Sequence, residues 1–112
     1  MKYLLLIYEN EKRFETGYDP KEMGEYQAFG KQFAGNILGG HALKPTATAT
    51  TVKVRDGKRL TTDGPFVETK EQLGGFYLVD AKDVDEAIHM AGKIPGARFG
   101  AIEVRPIMTF EK

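Results

Sequence analysis

Two short runs of this chain are apolar at nearly every position: YLLLIY at Tyr3–Tyr8 and FYLVDA at Phe76–Ala81. Successive side chains of a strand point to opposite faces, so a half-exposed strand alternates apolar with polar residues. A strand without that alternation must be covered on both sides. Each run therefore reads as an inner strand of a sheet, and something has to lie on either face of it.

Two helices are predicted between and after these strands. Asp19-Pro20-Lys21-Glu22 combines an N-cap acceptor, a proline at the first helical position and a glutamate placed to bond back to the cap. Met23, Tyr26, Phe29, Phe33 and Ile37 then recur at spacings of three and four, and Gly39-Gly40 closes the run. Gly30 falls within that stripe, which close packing of the helix on a sheet would explain. Asp83-Val84-Asp85-Glu86 repeats the cap signature, with a stripe of Val84, Ala87, Ile88, Ala91 and Ile94 before Pro95-Gly96 stops it.

Thr50 to Arg55, Asp56-Gly57 and Lys58 to Thr62 form a hairpin signature, because Asp-Gly readily takes the positive φ angles of a type I′ turn. Ala101 to Ile107 is a last strand, broken late by Pro106. The order strand, helix, hairpin, strand, helix, strand fits an α+β, ferredoxin-like βαββαβ plan in one domain over residues 1–112. In that plan the hairpin supplies the second strand and one extra. The first and third strands are central, and they are the two that read as apolar on both faces. Two helices cover only one face of such a sheet, so the other is expected to pack on a second copy in a homodimer.

Composition narrows the partners. Lys plus Arg and Asp plus Glu each number 16, so no broad field draws the chain to nucleic acid or anionic lipid. The six apolar residues of Tyr3–Tyr8 are cut off by ENEKRFE and are too few to cross a bilayer. With no cysteine, disulfides, thiolate catalysis and cysteine-ligated zinc are excluded. The expectation is a cytoplasmic protein without membrane or nucleic-acid partners.

The segment from Thr61 to Gly75, TTDGPFVETKEQLGG, spends far more residues on one strand-to-strand connection than a turn needs. Its Asp63-Gly64-Pro65-Phe66, the following Glu68-Thr69-Lys70-Glu71-Gln72-Leu73-Gly74-Gly75-Phe76, the earlier TATTVKVRDGK and the late AIEVRPI resemble the DGPF branch of the YCII-related family over nearly the whole chain. The resemblance implies a dimeric α+β barrel in a bacterial protein without an established general function. It also implies genomic association with extracytoplasmic-function sigma factors. In the wider family an Asp and a His form the site, and a few members resemble lyases of small organic acids. The Asp has its counterpart in Asp63; the His has none, since the start of the first helix reads KEMGEYQAFG.

Asp63 is accordingly the candidate catalytic residue, as a base or as the orienter of a ligand. An aspartate before Gly-Pro also fixes a turn through backbone N–H groups. Gly64, Pro65, Phe66 and Lys70 are the candidate ligand-binding residues. Phe66 is expected to anchor the loop, and Thr69 to Gln72 to form one helical turn whose N–H groups, with Lys70, hold a small carboxylate. His41 is placed at a helix end as a cap, and His89 on an exposed helix face. Neither has neighbours at metal-ligand spacing, so no metal is expected. Arg98 and Arg105 are candidate contacts for an anion, and Arg105, on a strand, is equally placed to pair with a cross-strand acid. No Ser-His-Asp order, P-loop or dinucleotide fingerprint occurs, so no cofactor is expected. Two functions follow: small-molecule binding with or without cofactor-free acid-base chemistry, or a regulatory interaction module.

Overall fold

The computed structural model describes residues 1–110. Eight elements carry the fold: β1 (Lys2–Glu9), α1 (Pro20–Gln32), β2 (Ile37–Ala42), β3 (Thr50–Arg55), β4 (Lys58–Asp63), β5 (Gln72–Asp80), α2 (Val84–Lys93) and β6 (Ala101–Pro106). Strands β2, β5, β1 and β6 form one antiparallel sheet in that order, and β3 pairs with β4 in a second. This is the α+β, ferredoxin-like arrangement, with the two all-apolar strands at its centre as the sequence requires.

The second strand of the sheet differs from the expectation. It is β2, in the stretch read as the end of the first helix, and the hairpin stands outside the sheet as a separate arm. Helix α1 stops at Gln32, and the N–H groups of Asn36 and Ile37 both bond to the Phe33 carbonyl. The Asn36 side chain then donates to the Asp80 carbonyl at 3.0 Å, tying the turn to the end of β5. Gly39-Gly40 does not end a helix. A β-carbon at Gly40 would lie 2.6 Å from the Phe76 carbonyl oxygen, so glycine here permits the close approach of β2 to β5. A β-carbon at Gly30 would meet nothing within 4 Å, so close helix packing does not explain that residue.

One face of the sheet holds the core. Tyr77, Leu5 and Val104 lie in register across three strands, as do Val79 and Tyr3. On them pack Phe29 and Phe33 of α1 and Ala87, Met90, Ala91 and Ile94 around α2. The α2 stripe is rotated from its predicted position: Met90 is fully buried, while Val84 and Ile88 are exposed. Asp83 caps the helix, accepting from the Glu86 N–H at 2.9 Å, and Glu86 reaches back to the Lys82 N–H. Asp19 caps α1 through the Lys21 N–H, but Glu22 does not reciprocate; it turns inward.

The opposite face carries Leu4, Leu6 and Tyr8 of β1 beside Leu78 and Phe76 of β5, with His41 across from Phe76. Both helices lie on the other side. Strands β3 and β4 are exposed along their length except at Thr51. Asp56 and Gly57 take φ angles of 51° and 75° in the expected tight turn. The projecting arm gives the chain a radius of gyration of 16.1 Å and extents of 49 × 47 × 18 Å, against about 13 Å for a compact chain of this length. Among the described residues no helix is long and apolar enough to cross a membrane.

Candidate functional site

The inward row of β1, Tyr3, Leu5 and Ile7, ends in a charged residue, Glu9, and Leu6 on the opposite face is buried as well. Glu9 is 6% exposed and Glu22, from the first turn of α1, 7%. Between these two carboxylates lies Arg13, delivered by a short 3-10 turn over Glu11–Phe14 that Asn10 caps. Its Nη2 donates to Glu22 Oε1 at 2.7 Å, and its Nη1 sits 3.1 Å from Glu9 Oε1. The second contact lacks hydrogen-bond geometry, and neither atom finds another partner. The guanidinium is held between rings, 3.8 Å from the centre of Phe99 and 4.9 Å from that of Phe14.

Two carboxylates thus share one cation in a buried position. Desolvation is the largest influence on Glu9 and pushes its carboxyl above the usual range; Arg13 opposes this, while the charge of Glu22 adds to it. Tyr26, one helical turn beyond Glu22, is raised for related reasons: burial first, then the negative charge of Glu9, with the Gly96 N–H partly offsetting them. Tyr77 is raised by burial alone. Gly96 completes the floor, since a β-carbon there would run into the Glu9 carboxyl and lie 2.9 Å from the Tyr26 hydroxyl.

Glu9, Glu22, Tyr26 and Tyr77 open onto a groove of about 1330 Å³. Ile7 floors it, and Phe14, Tyr18 and Met23 supply apolar wall. The connection from β4 to β5 forms one rim with Glu68, Thr69, Lys70 and Gln72. That rim is braced to the body: Gln72 accepts from the Glu11 N–H at 3.0 Å, and Glu11 in turn accepts from both the N–H and the hydroxyl of Thr46.

The expected site residues are dispersed. Lys70 lines the groove; Gly64 and Pro65 line a smaller hollow of about 360 Å³ beside Thr46 and Thr69. Asp63 ends β4, is exposed and borders neither space. Gly64 does need its glycine, at φ 96°, and its N–H bonds to the Ala49 carbonyl at 2.7 Å. Phe66 is 72% exposed, with only the Lys53 ammonium over its ring, 5.1 Å away, so it does not anchor the loop within the chain. Residues 69–72 are not a helical turn: Gln72 reaches back to Thr69, but to its carbonyl, and Thr69 bonds to the Glu71 carbonyl. Gly74-Gly75 lies within β5, where a β-carbon on Gly75 would be 2.9 Å from the His41 carbonyl oxygen.

His41 is an exposed residue of β2, 6.0 Å from Phe76, and not a helix cap; His89 is exposed. Arg98 clasps Glu25 with two hydrogen bonds, 2.6 and 3.0 Å, holding Glu25 below the usual carboxylate range. Arg105 pairs with Glu103 of its own strand. Among the described residues no group of three or more His, Cys, Asp or Glu could hold a metal.

In sequence ENEKRFE reads only as the polar stretch that cuts off the apolar run Tyr3–Tyr8, so the buried cluster is not apparent there. The signal was present: Glu9 continues the odd-numbered inward row, and Glu22 and Tyr26 are four apart on one helix face.

An uncharacterised protein of Rhizobium meliloti (strain 1021) is 35% identical over 118 residues, covering 99% of this chain and 95% of its own. Among solved structures, 5-chloro-2-hydroxyhydroquinone dehydrochlorinase from Burkholderia phenoliruptrix AC1100, in complex with 2,5-dihydroxybenzoquinone, is similar with a TM-score of 0.58. That likeness covers 96% of this chain and 94% of the other at 15% identity, and speaks for the fold. The model of the YCII-related domain matches residues 1–111, and the chain belongs to that family.

Proposed function

We propose that the protein binds a small, partly aromatic organic molecule in the groove between β1, α1 and the β4–β5 connection, with Glu9 and Tyr26 as its polar end. The single observation behind this reading is a buried carboxyl of raised pKa opening, beside a half-buried phenol, into a groove walled by rings. Perturbed groups that converge on an apolar cleft are the usual mark of a ligand site. The same carboxyl is suited to take and return a proton without a cofactor. The similar dehydrochlorinase holds a planar dihydroxylated ring, which agrees with a small cyclic ligand here.

The test is a thermal titration against hydroxylated aromatics, 2,5-dihydroxybenzoquinone among them. A ligand at about 100 times its dissociation constant adds about 2.7 kcal/mol, a rise of about 10 °C in a domain of this size. The rise is expected to vanish in Glu9→Gln. Asp63, Gly64, Pro65 and Phe66 belong to a separate proposal for the polar anchor: loss of the rise in Asp63→Asn, with Glu9→Gln unaffected, would move the anchor to that loop. A flat titration would favour the interaction module, possessed of an exposed β3–β4 arm and, by resemblance, of a sigma factor as partner.

The reading includes a homodimer closed through Leu4, Leu6, Phe76 and Leu78 as a barrel of two sheets. One sheet face carries both helices; the other bears neither and has an apolar centre of Leu4, Leu6, Phe76 and Leu78, bordered by the Glu103–Arg105 pair and His41. Light scattering at micromolar concentration should give about twice the 12.5 kDa chain mass, and a monomeric mass would remove the dimer from the reading.

A further inference from the structure

The groove bears a charge, and its sign selects among ligands. Five carboxylates line it, Glu9, Glu11, Glu15, Glu22 and Glu68, against two ammonium groups, Lys12 and Lys70. Glu11 is occupied with Thr46, and Glu15 and Glu68 are exposed. At the floor the balance is sharper. Arg13 is the one cation in contact with both Glu9 and Glu22, so with both ionised the floor has one negative charge that no protein group neutralises; burial and Glu22 push Glu9 toward its protonated form, and a bound cation would draw it back to the ionised one.

Glu9 carries that imbalance. Its side chain is more than nine-tenths buried, it lines the groove, and neither carboxylate oxygen makes a hydrogen bond among the described residues: Oε1 is sealed against Arg13 Nη1 and Gly96, which leaves Oε2 as the oxygen a ligand can meet. A buried carboxylate oxygen without a hydrogen bond is costly, and a donor brought by a ligand would relieve it. The walls suit the same donor. Phe14 and Tyr18 stack with centres 5.0 Å apart near the mouth, and Tyr26 and Tyr77 stand below, so ring faces line the route of an incoming cation.

We infer that the ligand of this groove is a small arylalkylamine in its protonated form, its ammonium directed to Glu9 and its ring between the aromatic walls. This rests on the binding reading above and names its class. A small organic acid is disfavoured: its carboxylate would meet Glu9 and Glu22 with Arg13 already engaged, leaving only the exposed Lys12 and Lys70 to receive it.

Three probes share one ring and differ in charge: tyramine, a cation; tyrosol, neutral; and 4-hydroxyphenylacetate, an anion. Calorimetric titration of the wild-type protein at neutral pH should rank tyramine first, at least tenfold tighter than 4-hydroxyphenylacetate. Glu9→Gln, nearly the same shape, should bring tyramine to the level of tyrosol, and Lys70→Met should leave the ranking unchanged. The wild-type ranking decides the matter even if Glu9→Gln folds poorly. Tyrosol or 4-hydroxyphenylacetate binding as tightly as tyramine would overturn the amine assignment while leaving a ligand site in place. Binding of none of the three would overturn both.

Discussion

Arg13→Met should lower the stability of the protein by about 3 kcal/mol, the low end of what removing one partner of a buried ion pair costs, or about 12 °C in the thermal midpoint. The reason is what remains. Glu9 and Glu22 are each less than a tenth exposed, and without the guanidinium both carboxylates lie buried with no opposing charge. The aromatic contacts of Arg13 with Phe99 and Phe14 are partly kept by the thioether, so the loss reports on charge more than on packing.

The pH dependence separates these causes. Glu9 already has a raised carboxyl in the folded protein, so between its unfolded value of 4.5 and its folded value the native state binds the extra proton. Stability from this group is therefore fully present below the unfolded value and is lost as pH rises through the folded one. Without Arg13 the folded value climbs further, and the window of loss extends upward with it. The deficit of Arg13→Met should be larger at pH 8 than at pH 5, and Arg13→Met/Glu22→Gln should recover part of it. Denaturant unfolding at the two pH values checks this; an equal deficit at both would show that packing against the rings, and not charge, is what Arg13 contributes.

The legible parts of this fold were those written in local chemistry. Asp19 and Asp83 mark helix starts because a carboxylate satisfies free N–H groups whatever surrounds it. Asp56-Gly57 marks a turn because its φ angles are intrinsic. The centre of the sheet was legible in YLLLIY because only a strand covered twice tolerates such a run. The parts that escaped depend on long-range approach. Gly39-Gly40 looks like a helix stop in sequence, and only the nearness of the Phe76 carbonyl turns it into strand β2. Asp63 drew attention as a charged residue in a conspicuous loop, whereas Glu9, Arg13 and Glu22 gain their character from burial and from one another. Nothing local distinguishes Glu9 from the exposed acids that follow it until the in-and-out rhythm of β1 is carried one residue further.

That rhythm also sets a pair of neighbours against each other. Leu5 faces the helices and is fully buried within one chain; Leu6 faces the other side, with Glu103 and Phe76 beside it across the strands. Leu5→Ala should cost about 3 to 4 kcal/mol, the usual penalty of a core truncation whose cavity cannot collapse. Because everything that covers Leu5 belongs to its own chain, that cost should not vary with protein concentration. Leu6→Ala removes the same atoms from a face that a second copy would cover. Leu6 is itself 9% exposed within the single chain, so the truncation should carry a constant cost in dilute protein, with a further part that grows with concentration as mass action draws on the sheet-to-sheet contact. Thermal midpoints of both variants and wild type, taken across a hundredfold range of concentration, provide the comparison. A Leu6→Ala deficit as independent of concentration as that of Leu5→Ala would mean that the second face is completed within a single chain, and the paired-sheet assembly would have to be given up.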